Sequence, residues 1–339
     1  MTCLAAPVAK LLISEYAAHT WGQRILAAVP PDTLVLVTAE AVGRSDGPAD
    51  IDIAFMTREV TGKSSKNNPT AELTNFESVL RRSPKLKWLQ IHPAGAERPI
   101  YTALRQRGVK VTTASGATSV TVAHSALGAV IGLNRRFPLL ADAQRRHAWE
   151  PRLGERAPRD LAGQHAVIVG LGPIGRTLAT LLKMLGLTTT GVRRLAEPVA
   201  ECDRTITFAE LRRAANTADW LVLCCPASPL TRGLGNAALF AAMPAGAHVV
   251  NIARGEVVVE LDLIAALTSG HIAGAYLDVV EKEPLDTASP LWDLPNVMVS
   301  PHTASHSLGQ NEAIFKIFLD NLARWRESRA LRNDLDRLG

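Results

Sequence analysis

Apolar positions gather in short runs closed by turn residues. Residues 34–38, 51–56, 86–92 and 109–113 read as short buried strands. Residues 72–82 and 99–107 have helical spacing and precede the third and fourth of these runs. Strands alternating with helices predict a parallel sheet covered by helices. A small-residue-rich helix is expected over 118–136, after which 137–163 turns polar and rich in Arg, Pro and Trp. A second alternation follows. Strands are expected at 165–169, 188–192, 220–225, 247–252, 272–278 and 297–300, with helices at 175–185, 208–215 and 261–269. Residues 308–325 are again helical. Two α/β units are therefore expected, about 1–116 and 117–301, and periodicity leaves open where the last helix docks.

The chemistry begins at residues 165–176, His-Ala-Val-Ile-Val-Gly-Leu-Gly-Pro-Ile-Gly-Arg. A strand feeds a G-x-G-x-x-G turn that opens a helix, the pattern of a dinucleotide site. Gly170 permits the tight turn, Gly172 lets a pyrophosphate approach the backbone, and Gly175 lets helix and strand pack closely. The diphosphate is expected at the positive end of the helix. About 20 residues on, an acid ordinarily binds the adenosine ribose. Here the second strand ends Thr190-Gly191-Val192-Arg193-Arg194. Guanidinium groups at Arg193 and Arg194 suit a 2′-phosphate, so NADP is expected in preference to NAD, with NAD use possible. A solvated arginine pair is the plainer alternative.

Three motifs lie downstream, each after an expected strand: Asn251-Ile252-Ala253-Arg254-Gly255, Asp278-Val279-Val280-Glu281-Lys282-Glu283-Pro284, and Ser300-Pro301-His302-Thr303-Ala304. Ligands of open α/β sheets bind beyond the carboxyl ends of strands. In order and spacing these motifs, with the glycine loop, resemble the D-isomer-specific 2-hydroxyacid dehydrogenase family, and the resemblance extends over nearly the whole chain. It implies two Rossmann-like or flavodoxin-like domains with parallel sheets. The substrate domain would be discontinuous, 1–116 plus 302–339, with the cofactor domain, 117–301, inserted between its pieces.

The resemblance also implies roles. Arg254 would hold the substrate carboxylate and polarise the keto oxygen. His302 would be the general acid in reduction and the general base in oxidation, and Glu283 would orient it. Asp278, Pro173, Ile174, Cys225, Pro226, Ile252, Ala253 and Ala304 match cofactor-contacting positions. For Cys225 a buried strand residue is the plainer reading. The loop His92-Pro93-Ala94-Gly95-Ala96-Glu97 resembles one whose backbone N–H groups meet the substrate carboxylate, making Gly95 and Ala96 substrate-binding candidates alongside Arg254 and His302. Glu97 replaces the usual Asp, and His124-Ser125 stands where the family commonly has Glu-His. Arg58 is a candidate for a second anion contact, and His92 for a pocket-facing residue. Residues 137–163 correspond to the family's dimerisation arm, so a homodimer is expected.

Composition narrows the alternatives. The chain is 339 residues long, 47% hydrophobic, 20% charged and of formal charge +5. Its arginines are scattered in pairs, which reads as solvated helix faces and not as a nucleic-acid surface. No stretch has the length of a membrane span. The N-terminus lacks the basic region of a secretory leader. The cysteines, Cys3, Cys202, Cys224 and Cys225, form no C-x-x-C pair, which fits a reduced, cytoplasmic protein. His302 and His306 share helical spacing, but no zinc signature accompanies them and no metal is expected. The leading expectation is reduction of a small 2-keto acid, glyoxylate or hydroxypyruvate among them. A nucleotide-sensing corepressor on the same fold, and a formate or phosphite dehydrogenase, remain alternatives.

Overall fold

The computed structural model describes residues 8–43, 47–62, 69–151, 154 and 157–337, and Cys3 lies outside them. The chain forms two compact units, Met1–Ala117 with Leu308–Gly339, and Thr118–Ser307. The first contains β1 (Ala9–Ile13), α1 (Glu15–Ala27), β2 (Leu34–Thr38), α2 (Ala39–Val42), β3 (Ile53–Met56), α3 (Arg58–Thr61), α4 (Ala71–Arg81), β4 (Trp88–Ile91), α5 (Pro99–Gln106) and β5 (Lys110–Thr112). The second contains α6 (Ser119–Asn134), α7 (Phe137–Arg145), β6 (His165–Val169), α8 (Pro173–Met184), β7 (Thr188–Arg193), β8 (Arg204–Thr207), α9 (Leu211–Ala215), β9 (Trp220–Leu223), α10 (Ala237–Ala242), β10 (Ala247–Asn251), α11 (Glu260–Thr268), β11 (Ile272–Leu277) and β12 (Val297–Val299). The last helix, α12 (Gln310–Arg326), belongs to the first unit.

Both sheets are parallel. The first runs β2-β1-β3-β4-β5 and the second β12-β11-β10-β9-β6-β7-β8. Each is doubly wound: strand order reverses at β1/β3 in one and at β6/β9 in the other, and such a reversal opens a crevice at the carboxyl ends of the strands.

The first core is closed by α12. Its buried residues Ile314, Phe315, Phe318, Asn321 and Leu322 recur at helical spacing on one face. Phe318 stacks on Phe55 at 4.2 Å, and Phe315 on Trp21 at 5.2 Å. Burying rings of this size contributes roughly 1.5–3 kcal/mol each. Asn321, fully buried, meets Gln90 and the backbone of Arg332, so no polar atom of its amide is wasted. In the second unit Ala123, Ala126, Ala129 and Val130 of α6 share a core with Leu178, Ala179 and Leu182 of α8. Small side chains on α6 allow that approach.

Three elements depart from the expectation. β1 begins before the first anticipated run, yet Leu11, Leu12 and Ile13 are fully buried in its sheet. β8 is polar, Arg204-Thr205-Ile206-Thr207, because it is an edge strand. Part of the stretch 137–163 is the helix α7, which a purely polar reading missed. The boundary expected at 301/302 also moves: residues 302–307 belong to the second unit. His302 and His306 precede α12, in a loop, so they do not share a helix face. Among the described residues no group of three or more His, Cys, Asp or Glu is placed to hold a metal, and no helix is long and apolar enough to cross a membrane.

Candidate active site

The glycine loop joins β6 to α8 beside the sheet's switch point. Gly170 has φ +103°, a conformation that favours glycine, and a Cβ there would lie 2.8 Å from the Cys225 backbone. A Cβ on Gly175 would lie 2.0 Å from the Gly170 carbonyl oxygen. At Gly172 a Cβ would meet nothing within 4 Å. Two of the glycines are thus demanded by packing, and the middle one faces open space. Gly172 is also the N-cap of α8, with Pro173 next and no side-chain cap on the first turn, which leaves the amides around Ile174 and Gly175 for an anion. The loop therefore fits a dinucleotide diphosphate on its geometry alone.

Gly191, on β7, packs closely under the Leu171 and Cys202 side chains, which would have to move to admit a Cβ. Beyond it Arg193 ends β7, half-buried and 3.7 Å from the exposed carboxylate of Glu197, and Arg194 is exposed. Cys225 and Pro226 follow β9. Burial pushes the Cys225 thiol up to about 11 and the Cys224 thiol well up, so neither is an activated nucleophile. The Cys224 thiol donates to the Gly170 carbonyl at 2.9 Å, a structural use of that side chain.

The remaining candidates of this unit hang from β10, β11 and β12. Asn251, buried at the end of β10, accepts from the Ala253 N–H at 3.1 Å and donates to the Arg254 carbonyl at 3.4 Å, setting the turn through Ile252 and Ala253. Arg254 follows, its guanidinium donating to the Ala253 carbonyl at 2.8 Å. Gly255 then lies so close to β11's loop that a Cβ would sit 1.8 Å from the Val280 carbonyl. Asp278, buried one residue past β11, accepts from the Thr303 N–H at 2.8 Å, the Ala304 N–H at 2.9 Å and the Ser300 hydroxyl at 2.6 Å. Its carbonyl takes the His302 N–H at 2.8 Å. His302 is a non-glycine residue at φ +54°.

The His302 Nδ1–H donates to Glu283 Oε2 at 2.9 Å. That hydrogen bond raises the imidazole above its ordinary 6.5; burial and the Arg254 charge oppose it, and the Glu283 and Asp278 charges reinforce it. Burial pushes the Glu283 carboxyl up, but the His302 hydrogen bond and charge, a Val280 backbone hydrogen bond and the Arg254 charge together bring it below the ordinary value. Arg254, Glu283 and His302 therefore lie within one another's electrostatic field. Asn251 and Ser300 stood in the sequence motifs without a role and Tyr276 was not singled out; only the folded loop shows what the three side chains hold.

In the first unit, Gly95 and Ala96 lie half-buried in the loop after β4. His92, just before them, shares a 2.8 Å hydrogen bond between Nε2 and the Thr61 hydroxyl. Burial, with the charges of Arg58 and Arg98, pushes the His92 imidazole down to about 3. It is therefore neutral at any physiological pH. Arg58 donates to Gln310.

A family model described as "D-isomer specific 2-hydroxyacid dehydrogenase, NAD binding domain" matches residues 127–304. The chain belongs to the D-isomer specific 2-hydroxyacid dehydrogenase family. It is an NAD(P)-dependent oxidoreductase by that membership. Glyoxylate/hydroxypyruvate reductase B of Citrobacter koseri is 33% identical over 249 residues, 72% of this chain and 76% of that protein. A D-isomer specific 2-hydroxyacid dehydrogenase from Xanthobacter autotrophicus Py2, solved with NADPH and MES, is similar with a TM-score of 0.77 and 30% identity over 98% of each chain. An NADPH-dependent glyoxylate/hydroxypyruvate reductase from Sinorhizobium meliloti, solved with NADP and sulfate, has a TM-score of 0.75 and 25% identity, covering 98% of this chain and 99% of that one. The matched segment contains the glycine loop, Arg254, Glu283 and His302.

Proposed function

We propose that this dehydrogenase is an NADP-preferring reductase of a small 2-keto acid of the glyoxylate or hydroxypyruvate kind, forming the D-2-hydroxy acid. The pairing of His302 with Glu283, within the field of Arg254, carries the reading. Reduction needs a hydride at the carbonyl carbon, a proton at its oxygen and an anchor for the carboxylate. A nicotinamide cofactor held at the glycine loop of Gly170, Gly172 and Gly175 would supply the hydride. Glu283 engages Nδ1 of His302, which leaves Nε2–H as the proton donor to the forming alkoxide. In the oxidative direction neutral Nε2 takes the hydroxyl proton. Arg254 offers a planar donor fork to the carboxylate and polarises the keto oxygen. Asp278 keeps the loop that carries His302 in place.

Cofactor choice rests on Arg193 and Arg194, where an acid is absent at the end of β7. The two NADP-bound relatives agree with it. Steady-state kinetics on a panel of 2-keto acids, with NADPH and NADH, tests both parts of the reading. NADPH is expected to have the higher kcat/KM, and replacing Arg193 and Arg194 together with Ala should lower that preference about 10- to 100-fold, as loss of charge-assisted hydrogen bonds does. A wild-type preference for NADH refutes the cofactor assignment, and absence of turnover on every acid refutes the reductase.

In this reading the protein is a cytosolic homodimer. The described cysteines Cys202, Cys224 and Cys225 are free thiols, which suits a reducing compartment. Phe137, Leu140 and Trp149 are exposed, Trp149 almost entirely, on the arm expected to dimerise. Light scattering at micromolar concentration should give twice the 36.4 kDa chain mass; a monomer mass counts against the dimer.

A further inference from the structure

We propose that Ser300 is a positioning residue for His302: oriented by Tyr276, its hydroxyl fixes the Asp278 carboxylate so that Asp278 grips the backbone after His302 and keeps the ring on Glu283. The inference rests on the reading of His302 as proton donor.

The sheet register creates the arrangement. β11 and β12 pair with Leu277 beside Val299, so Asp278 and Ser300 emerge side by side one residue later. β12 is a three-residue edge strand, and the Ser300 N–H to the Leu277 carbonyl, at 3.0 Å, continues the ladder by one bond. Beyond that bond the backbone supplies one more hold from β11's end, the His302 N–H to the Asp278 carbonyl at 2.8 Å. The Asp278 carboxylate takes over, with Oδ1 accepting from the amides of Thr303 and Ala304. Those contacts need the carboxylate in one orientation.

The proton inventory assigns the direction of the chain. A serine hydroxyl carries one proton. It lies 2.6 Å from Asp278 Oδ1, an acceptor, so the proton is spent there. The 2.8 Å contact between Tyr276 and Ser300 must then be donated by the phenol. Burial keeps that phenol above its ordinary titration range and hence a donor. The sequence Tyr276 O–H to Ser300 O–H to Asp278 polarises in one direction and strengthens each bond. It starts on a buried strand and ends on the carboxylate that holds a histidine at φ +54°.

Without the serine hydroxyl, Asp278 turns more freely, the amides of Thr303 and Ala304 are held less often, and His302 spends less time on Glu283. Three charged groups act on the ring: Glu283 and Asp278 favour its protonated form and Arg254 opposes it. Weakening the Glu283 contact lets the imidazole titrate closer to 6.5. Misalignment of a proton donor by about 1 Å costs on the order of 100-fold in rate.

The test follows the His302 ring by NMR titration in the full-length protein, alongside the pH dependence of kcat. Ser300→Ala should shift the His302 titration downward and lower kcat for keto-acid reduction roughly 10- to 100-fold, with a smaller change in KM. Ser300→Thr, which keeps the hydroxyl, should restore both. Tyr276→Phe should move them in the same direction by less. A Ser300→Ala protein whose His302 titrates as in the wild type overturns the proposal, whatever its turnover. If that variant does not fold, Tyr276→Phe decides, since it removes one oxygen and no backbone bond; an unchanged titration again overturns it. Failure of the reductase reading is a different result: no turnover by the wild type on any 2-keto acid, with the titration still judging the positioning role.

Discussion

His302→Ala should lower kcat for keto-acid reduction by about two to four orders of magnitude, the usual contribution of a positioned general acid. The residue is half-exposed in a loop. Removing its ring leaves no cavity in the sheet, so the variant should keep wild-type circular dichroism and thermal midpoint while turnover collapses. The pH dependence has a definite sign. Reduction uses the imidazolium, so it is fully supported below the His302 pKa and fades as pH rises through it; oxidation of the hydroxy acid does the reverse. The hydrogen bond to Glu283 raises that pKa, so the crossover belongs above 6.5. Glu283→Gln removes the charge and weakens the bond, and its crossover should move down. Near-wild-type turnover by His302→Ala, or a crossover in Glu283→Gln that moves upward, would remove His302 from the mechanism.

Arg254→Gln should cost roughly 2–5 kcal/mol in kcat/KM, or about 30-fold to a few thousandfold, as expected when one partner of a desolvated charge pair is truncated. The loss should fall on both KM and kcat. The same fork that anchors the carboxylate also polarises the carbonyl, and only the first of these acts equally on ground and transition states. Arg254→Lys should recover a part only, because an ammonium is a point charge without the planar fork. The backbone here is fixed independently by Asn251 and by the tight approach of Gly255 to Val280, so the substitution is local. Unchanged KM and kcat in Arg254→Gln would place the substrate carboxylate elsewhere.

Much of this protein was legible in one dimension, for a physical reason. A strand buried on both faces is mostly apolar along its length, so β6 and β9 announce themselves as runs. Packing requires glycine at the first and last positions of the G-x-G-x-x-G loop, where a Cβ would lie 2.8 Å from the Cys225 backbone at Gly170 and 2.0 Å from the Gly170 carbonyl oxygen at Gly175. Arg254, Glu283 and His302 were legible through the resemblance of their motifs to the family, and each motif follows a strand of one parallel sheet, whose carboxyl ends lie at the same edge. The absence of an acid at Arg193 is likewise a local fact about the end of one strand.

Other features depend on what an element meets in the fold. β8 is polar because it lies at an edge, and β1 was hidden by its position ahead of the first clear run. α12 belongs with the first unit through Phe315 and Phe318, whose partners Trp21 and Phe55 lie more than two hundred residues away in the chain. His92 reads from the sequence either as a pocket-facing residue or as a structural histidine at a strand end, and only the fold shows its hydrogen bond to Thr61 and the burial that keeps it neutral. The sequence by itself determined the parallel α/β class, the glycine loop and the residue types of the candidate site. Only the tertiary structure decided how His302 is held. The Tyr276, Ser300 and Asp278 side chains meet because β12 pairs with β11 in one register, and a register is a relation between strands that no single stretch of chain contains.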